Sequence, residues 1–131
     1  MAGRTEYLAL RPAGLGSALR LYVALGAAWL ARLLWPRRFR GAGRYLYGRS
    51  PVRVRVNGLW FDARPHSEDL LYLLPSHKET VQKWFRPTAG QLVVDVGAHV
   101  GFYSVLAGSL GASVVSIEPN PGAAAALRAN A

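Results

Sequence analysis

Two acidic residues and two glycines near the end of the sequence have a spacing that could bind a nucleoside. Asp95 and Gly97 close an apolar run, and Gly101 follows four residues after Gly97. Glu118 ends a second apolar run 21 residues after Gly97, which predicts that the acid lies beside the glycine turn at the carboxyl edge of a parallel sheet. A carboxylate there accepts hydrogen bonds from both ribose hydroxyls. The glycines allow close backbone approach, and the following helix offers N–H groups at its start.

The glycine spacing distinguishes between two kinds of nucleoside ligand. A dinucleotide-binding turn has the pattern Gly-x-Gly-x-x-Gly, but its second and third glycines would fall at His99 and Phe102. The turn therefore favours a ligand without phosphates, and S-adenosylmethionine, a ribose joined to an amino-acid tail, is such a ligand. Asp95 is then placed to bind the ligand's ammonium group, directly or through water. Its alternative role is structural, to hold the turn by backbone hydrogen bonds.

These residues together predict an S-adenosylmethionine site. The predicted cofactor-binding residues are Asp95, Gly97, Ala98, His99, Gly101, Glu118, Pro119 and Asn120. For His99, a turn residue that tolerates an unusual backbone conformation is favoured over a base. We assign no catalytic residue and no metal ligand. The sequence contains no cysteine, which excludes disulfides, thiolate nucleophiles and cysteine-ligated zinc.

The two motifs resemble motif I and the ribose motif of the FkbM family of methyltransferases. Residues 93–104 (VVDVGAHVGFYS) and 116–121 (SIEPNP) carry the resemblance, which covers roughly residues 52–131. The family usually has Asn where His99 stands. The resemblance implies an α/β protein with a Rossmann-like class I methyltransferase fold. It also implies O-methyl transfer from S-adenosylmethionine to a sugar or another small-molecule hydroxyl, so that the acceptor is a small molecule or a glycan.

Two other functions remain open at this point. The chain could belong to a tRNA or rRNA methyltransferase whose basic N-terminal region binds RNA. It could also be a membrane-surface or interaction module without catalytic activity.

The elements around the glycines follow from the apolar pattern. Residues 91–96 and 113–118 predict two strands, the first of them buried on both faces. Residues 102–110 have helical spacing, and Gly111 stands where a glycine ends a helix. Asn120 predicts the N-cap of the next helix, with a proline at its first position.

Upstream, a hairpin and two short helices lead into this unit. Residues 52–56 alternate valine with arginine, and Asn57-Gly58 separates them from a second apolar run, which predicts a β-hairpin. The arginines share one face, interpreted as solvated, with a nucleic-acid-binding face as the alternative. Residues 68–74 predict a short helix. A capping box at Ser76 and Glu79 predicts another that runs to about Phe85 and is stopped by Arg86-Pro87.

Residues 15–35 predict an amphipathic helix. Its bulky face comprises Leu19, Tyr22, Gly26, Trp29 and Leu33. Arg20 and Arg32 bracket only 11 uncharged residues, whereas a membrane span needs about 20. The helix either docks on the rest of the protein or lies on a membrane surface, where the basic residues of segment 36–40 would meet anionic headgroups.

The net charge of +9 is concentrated in the N-terminal half. Residues 1–64 contain 12 arginines against Glu6 and Asp62. Such a region attracts anionic lipid, nucleic acid or an acidic substrate, although a general bias towards arginine also produces it.

The chain divides into three regions by these patterns. Residues 1–50 form a basic region with the amphipathic helix, 51–88 contain the hairpin and helices, and 89–131 begin the S-adenosylmethionine-binding domain. Because the sequence ends in the helix after the second strand, we expect a methyltransferase fold truncated there, as the N-terminal fragment of a longer protein. We expect a cytoplasmic location, peripheral to the membrane if the helix binds lipid.

Overall fold

The protein has a mixed α/β architecture in the part that the structure describes. The computed structural model describes residues 11–34, 51–73, 81 and 83–131. These residues form a three-stranded antiparallel sheet in the order β1-β2-β3 and a parallel pair, β4-β5. The elements are β1 (Arg11–Pro12), α1 (Gly14–Leu34), β2 (Val52–Val56), β3 (Leu59–Ala63), α2 (Asp69–Leu73), β4 (Leu92–Val96), α3 (Phe102–Ser109), β5 (Ser113–Ile117) and α4 (Pro121–Asn130). The predicted capping box at Ser76 and Glu79 and the basic segment 36–40 lie outside the described residues.

The predicted hairpin is confirmed as β2 and β3. Asn57 and Gly58 have φ angles of 51° and 83°, the two positive values that a type I′ turn requires. The register pairs Val54 with Phe61, and both side chains are fully buried. The strand β1 extends this sheet by pairing antiparallel with β2, an edge strand that the sequence pattern did not indicate.

The arginine face of the hairpin is exposed, as predicted, and has partners on the hairpin itself. Arg53 binds Asp62 on the neighbouring strand through two hydrogen bonds of 2.9 Å. The guanidinium of Arg55 lies 5.6 Å from the centre of the Trp60 ring. These contacts fit the interpretation of a solvated face.

The strand–turn–helix–strand unit follows the predicted order. β4 and β5 pair in parallel, from Leu92 with Ser113 to Val96 with Ile117. Gly111 ends α3 with a φ of 85°, as its position predicted. Its N–H donates to the Gly108 carbonyl, while the N–H of residue 112 donates to that of residue 107, which together form a Schellman motif.

The core lies between the hairpin and the helices. Its buried residues are Leu21, Val52, Val54, Val56, Phe61, Ala63, Leu70, Leu73, Val100, Phe102 and Ala126. The rings of Phe61 and Phe102 stack with their centres 5.7 Å apart, which joins β3 to α3. Asn130, at the end of α4, accepts a hydrogen bond from the Asp62 N–H and donates one to the Val100 carbonyl. The Asn130 side chain therefore joins the hairpin to the glycine turn.

One face of the parallel pair is exposed, in contrast to the prediction for β4. Leu92, Val94 and Val96 are 67%, 55% and 74% exposed. Val115 and Ile117 on β5 are about half exposed. Burial of β4 on both faces is thus wrong for the described residues, because the described helix that contacts both strands, α3, lies against their other face.

Helix α1 forms where the periodicity predicted it, but it contacts the protein through the opposite side. Ser17 and Leu21 are buried beside the antiparallel sheet. Leu19, Tyr22 and Leu33 of the bulky face are 67%, 47% and 65% exposed, so these side chains take no part in the contact with the sheet. Among the described residues, no helix combines the length and the apolar character needed to cross a bilayer.

The segment between the hairpin and β4 agrees with its prediction where it is described. Helix α2, Asp69–Leu73, falls within the predicted 68–74. The N–H groups of Trp84 and Phe85 donate to the Val81 carbonyl, and the chain is not helical from Phe85 to Pro87. The second helix is therefore stopped upstream of Arg86-Pro87, as predicted. It ends before the predicted Phe85, because residues 83 and 84 already form a turn.

Candidate functional site

The glycine turn connects β4 to α3 in a conformation that alternates between the two halves of the Ramachandran map. The φ angles of Gly97, His99 and Gly101 are 77°, 51° and 86°. Glycine adopts such values without strain, whereas other residues do so at a cost. His99 therefore has the unusual backbone conformation that the sequence analysis favoured for it.

The turn is held against the end of β5 by backbone hydrogen bonds. The N–H groups of Gly97 and Ala98 donate to the Ile117 carbonyl at 2.8 and 3.1 Å. The N–H of Gly101 donates to the Ala98 carbonyl at 2.8 Å, and that of His99 donates to Glu118. Four N–H groups of the turn thus donate hydrogen bonds to acceptors within the protein, so in this conformation they do not donate to a phosphate.

Glu118 lies against the turn, where its spacing from Gly97 predicted it. Its carboxylate accepts a 2.8 Å hydrogen bond from the Asn120 N–H and a 2.9 Å hydrogen bond from the His99 N–H. The first of these bonds, followed by the second, lowers the pKa of Glu118 below its ordinary value. Because each carboxylate oxygen can accept about two hydrogen bonds, the ionised group still has acceptor capacity for two hydroxyls.

Asp95 has a contact within the protein. One of its oxygens accepts a 2.6 Å hydrogen bond from the Ser104 hydroxyl, which lies 2.8 Å from the Ser116 hydroxyl. This network connects β4, α3 and β5 next to the turn. Burial of Tyr103, together with the charge of Asp95, raises the pKa of the Tyr103 hydroxyl. The contact gives Asp95 a structural partner, but it is a side-chain contact with α3 and not the hydrogen bond to the turn backbone that was the predicted alternative.

The remaining predicted site residues divide into packed and open positions. Ala98 and Gly101 are buried, and a Cβ on Gly101 would collide with the Leu127 side chain of α4. A Cβ on Gly97 would meet nothing within 4 Å. Pro119 and Asn120 are exposed, and Asn120 caps α4 by accepting a 3.0 Å hydrogen bond from the N–H of residue 123.

A buried ion pair supports the turn from behind, and the sequence analysis missed it. Asp69 is fully buried and accepts three hydrogen bonds of 2.8 Å from Arg64, two from the guanidinium and one from the backbone. Burial by itself would raise the pKa of Asp69, but the hydrogen bonds and charge of Arg64 outweigh it, so the pKa is lowered. The His99 Nε2 lies 3.6 Å from the same carboxylate, and its ring is 4.4 Å from that of Tyr72.

This ion pair also lies close to the first turn of α4 and to Glu118. A side chain on Gly122 would come within 3.0 Å of the Arg64 Nη1, and the Arg64 charge contributes to the lowered pKa of Glu118. The sequence offered one signal for it, an acid at the start of an apolar helix. That signal predicts a helix start, and Ser67 does accept a hydrogen bond from the Asp69 N–H.

A separate groove of about 640 Å³ lies at the amino ends of the parallel strands. Its walls include Phe85, Pro87, Leu106 and Leu110. It is distinct from the carboxyl edge, where Glu118 and the glycine turn meet. Among the described residues, no group of three or more His, Asp or Glu side chains is arranged to hold a metal ion.

No protein-family model matches the chain, and no curated protein or solved structure matches it at a significant level. The geometry of the site and the two motifs are therefore what indicate a function.

Proposed function

We propose that this chain binds S-adenosylmethionine at the edge formed by the glycine turn and Glu118, as part of a methyltransferase with a Rossmann-like class I fold. The observation that carries the proposal is the position of Glu118. This acid, whose pKa is lowered, follows β5 directly, is held beside the turn by the His99 N–H, and keeps acceptor capacity on both oxygens. Two adjacent ribose hydroxyls match that pair of acceptors.

The open side of the turn fits the same ligand. Gly97 has no neighbour within 4 Å of the position of a Cβ, so the ligand can approach its backbone. Helix α3 begins directly after the turn without a side-chain cap, which suits the carboxylate of an amino-acid tail. In this arrangement Glu118 orients the ribose, and the turn fixes the distance between ribose and tail.

The hydrogen bonds of the turn argue against a dinucleotide. A pyrophosphate is bound by backbone N–H groups of a glycine turn and by the start of the following helix. In this turn, the N–H groups of Gly97, Ala98, His99 and Gly101 already have acceptors within the protein. A ligand without phosphates leaves these bonds intact.

The proposed reaction is O-methyl transfer to a small-molecule or glycan hydroxyl, as the FkbM resemblance implies. S-adenosylmethionine supplies an electrophilic methyl group on its sulfonium, while the residues described above bind and orient the donor. In the described part of the hairpin, the arginines that could contact RNA already have partners, since Arg53 binds Asp62 and Arg55 lies over Trp60.

Titration calorimetry of the chain with S-adenosylmethionine tests the proposal, with NAD as the competing ligand. We expect Glu118→Ala to weaken S-adenosylmethionine binding by roughly ten- to a hundredfold, because hydrogen bonds to a charged acceptor contribute about 1.5–3 kcal/mol. Asp62→Ala removes an acid on the hairpin and is the matched control, for which we expect unchanged affinity. Glu118→Gln should lose less than the alanine variant, since its remaining oxygen still accepts.

A thermal melt without ligand accompanies each titration. It is needed because Glu118 also accepts hydrogen bonds from the N–H groups of His99 and Asn120, whose loss could lower the stability of the variants. NAD binding in place of S-adenosylmethionine, at millimolar ligand, would refute the proposal. A folded Glu118→Ala variant that binds the cofactor as tightly as the parent would refute the ribose role.

A further inference from the structure

We propose that helix α1 attaches this protein to an anionic membrane surface, with the helix lying in the plane of the bilayer interface. The proposal combines an exposed apolar stripe on α1 with the positive charge around it. It concerns a surface separate from the cofactor edge, and it holds whether or not the chain binds S-adenosylmethionine.

The apolar stripe occupies the side of α1 that faces away from the protein. At 3.6 residues per turn, its members fall within an arc of about 100°. They are Leu15, Leu19, Tyr22, Val23, Leu30 and Leu33. Leu15 is 91% exposed and Val23 59% exposed, whereas Ser17 and Leu21 on the opposite side are buried against the antiparallel sheet. The contact with the sheet therefore presents the stripe outward.

The positive charge around α1 selects an anionic partner. Residues 1–64 contain 12 arginines and only two acids. One of those acids, Asp62, is already bound by Arg53. Arg11, in the strand that precedes the helix, and Arg20, within the helix, are both exposed. Three further arginines follow the helix in the sequence, in segment 36–40. Each basic residue near an anionic bilayer strengthens attachment several-fold.

An anionic bilayer can contact both the apolar stripe and the arginines at once, and for this reason it is the partner that we propose. An amphipathic helix buries its apolar side chains at the boundary between headgroups and acyl chains, while its basic residues contact the headgroups. RNA would use the charge but leave the leucines of the stripe exposed. A partner that bound only the apolar stripe would leave the arginines without anions. The helix is not long and apolar enough to cross the membrane, which agrees with a position in the interface.

Vesicle flotation of the 131-residue chain tests the proposal. The vesicles contain phosphatidylcholine alone or phosphatidylcholine mixed with phosphatidylserine. We expect flotation with the mixed vesicles, release from them at high salt, and no flotation with phosphatidylcholine alone.

Two matched variants separate the stripe from charge alone. Leu19→Glu places an acid in the stripe, and Leu110→Glu places the same charge on an exposed leucine at the end of α3. We expect Leu19→Glu to reduce partitioning into the mixed vesicles by about tenfold or more, because it replaces a leucine that the bilayer would bury with a charge. Leu110→Glu should stay within about twofold of the parent. Circular dichroism checks that both variants are folded, and Leu33→Glu replaces Leu19→Glu if the latter is not.

Three results would overturn the proposal. The first is absence of flotation with either vesicle, and the second is equal flotation with both. The third is an equal effect of the stripe variant and Leu110→Glu, which would show that net charge alone governs binding. An RNA oligonucleotide that binds the chain equally well before and after the stripe substitution, while vesicles do not bind, would assign the charge to nucleic acid instead.

Discussion

The carboxyl edge of the parallel strands and the surface of helix α1 differ in what fixes their side chains. At the edge, backbone hydrogen bonds and positive φ angles place Gly97, His99 and Glu118. On α1, helical periodicity defines two sides, and contact with the antiparallel sheet decides that Leu21 is buried while Leu19 is exposed. The spacing of residues thus predicts the arrangement of the glycine turn, which backbone conformation and backbone hydrogen bonds fix. It does not predict which side of a helix packs against the rest of the protein.

The largest effect is expected from removal of the Arg64–Asp69 ion pair, which contacts the carboxyl edge from a segment upstream of β4. Asp69→Asn takes away the charge that binds Arg64, and breaking a buried pair costs about 3–5 kcal/mol. Since the Arg64 side chain is 29% exposed, we expect a loss of about 3 kcal/mol in the free energy of unfolding, measured with urea.

The exposed pair on the hairpin is the matched control. Asp62 and Arg53 have the same two-bond geometry, but their side chains are 33% and 56% exposed. Asp62→Asn should cost at most about 1 kcal/mol. Equal losses in the two variants would contradict a special contribution of burial at Asp69.

The same pair predicts how stability depends on pH. The pKa of Asp69 is lower in the folded protein than its ordinary value, so the unfolded chain takes up the proton first as the pH falls. The stabilisation is complete at pH values above the ordinary aspartate pKa of about 3.9 and is lost as the pH falls towards the lowered pKa. Acid unfolding followed by circular dichroism should show a weaker pH dependence for Asp69→Asn than for the parent. An unchanged pH dependence would rule out Asp69 as the titrating group.

The second test compares two glycines of one turn. Gly101→Ala and Gly97→Ala both place a Cβ at positive φ, but only the Cβ at Gly101 meets Leu127. We expect a loss of about 2–3 kcal/mol for Gly101→Ala, from backbone strain together with overpacking, and about 1–2 kcal/mol for Gly97→Ala, from strain alone. Urea unfolding gives both values, and a larger loss at Gly97 would contradict the packing of α4 on the turn.

These two variants also separate stability from binding. Gly97 is the open position of the proposed site, so Gly97→Ala should weaken S-adenosylmethionine binding by more than its stability loss explains. Gly101 faces α4, so a folded Gly101→Ala protein should retain affinity. The opposite order, in calorimetry at a temperature where both variants are folded, would move the ligand to the Gly101 side.

The smallest effect is expected in the hairpin turn, at Asn57. It tests whether the backbone conformation of this residue, like that of the glycines, contributes to stability. Asn57 has a φ of 51°, which asparagine tolerates better than alanine. Asn57→Ala should lower the free energy of unfolding by about 1 kcal/mol, whereas Asn57→Gly should change it by less than half of that. A thermal melt of the three proteins gives the comparison, and a glycine variant less stable than the alanine variant would show that the Asn57 side chain itself is needed.

Several features could be predicted from the sequence because they depend on neighbouring residues. Alternation with a period of two and the Asn57-Gly58 pair determined the hairpin. Glycine at position 111 and asparagine at position 120 determined where α3 ends and α4 begins. The position of Glu118 beside the turn followed because a short crossover brings the carboxyl ends of consecutive parallel strands to the same edge.

Other features were decided by tertiary structure, because they join segments that are distant in the chain. The pairing of β1 with β2 brings Arg11 beside Arg55, and the contact of Asp69 with His99 depends on how α2 packs against the glycine turn. The contact of Asp95 with Ser104 depends on which face of β4 the helix α3 covers. Helix α1 shows the limit most clearly: its period of 3.6 residues determined that it would have two different sides, but burial of Leu21 against the sheet determined which side remained outward.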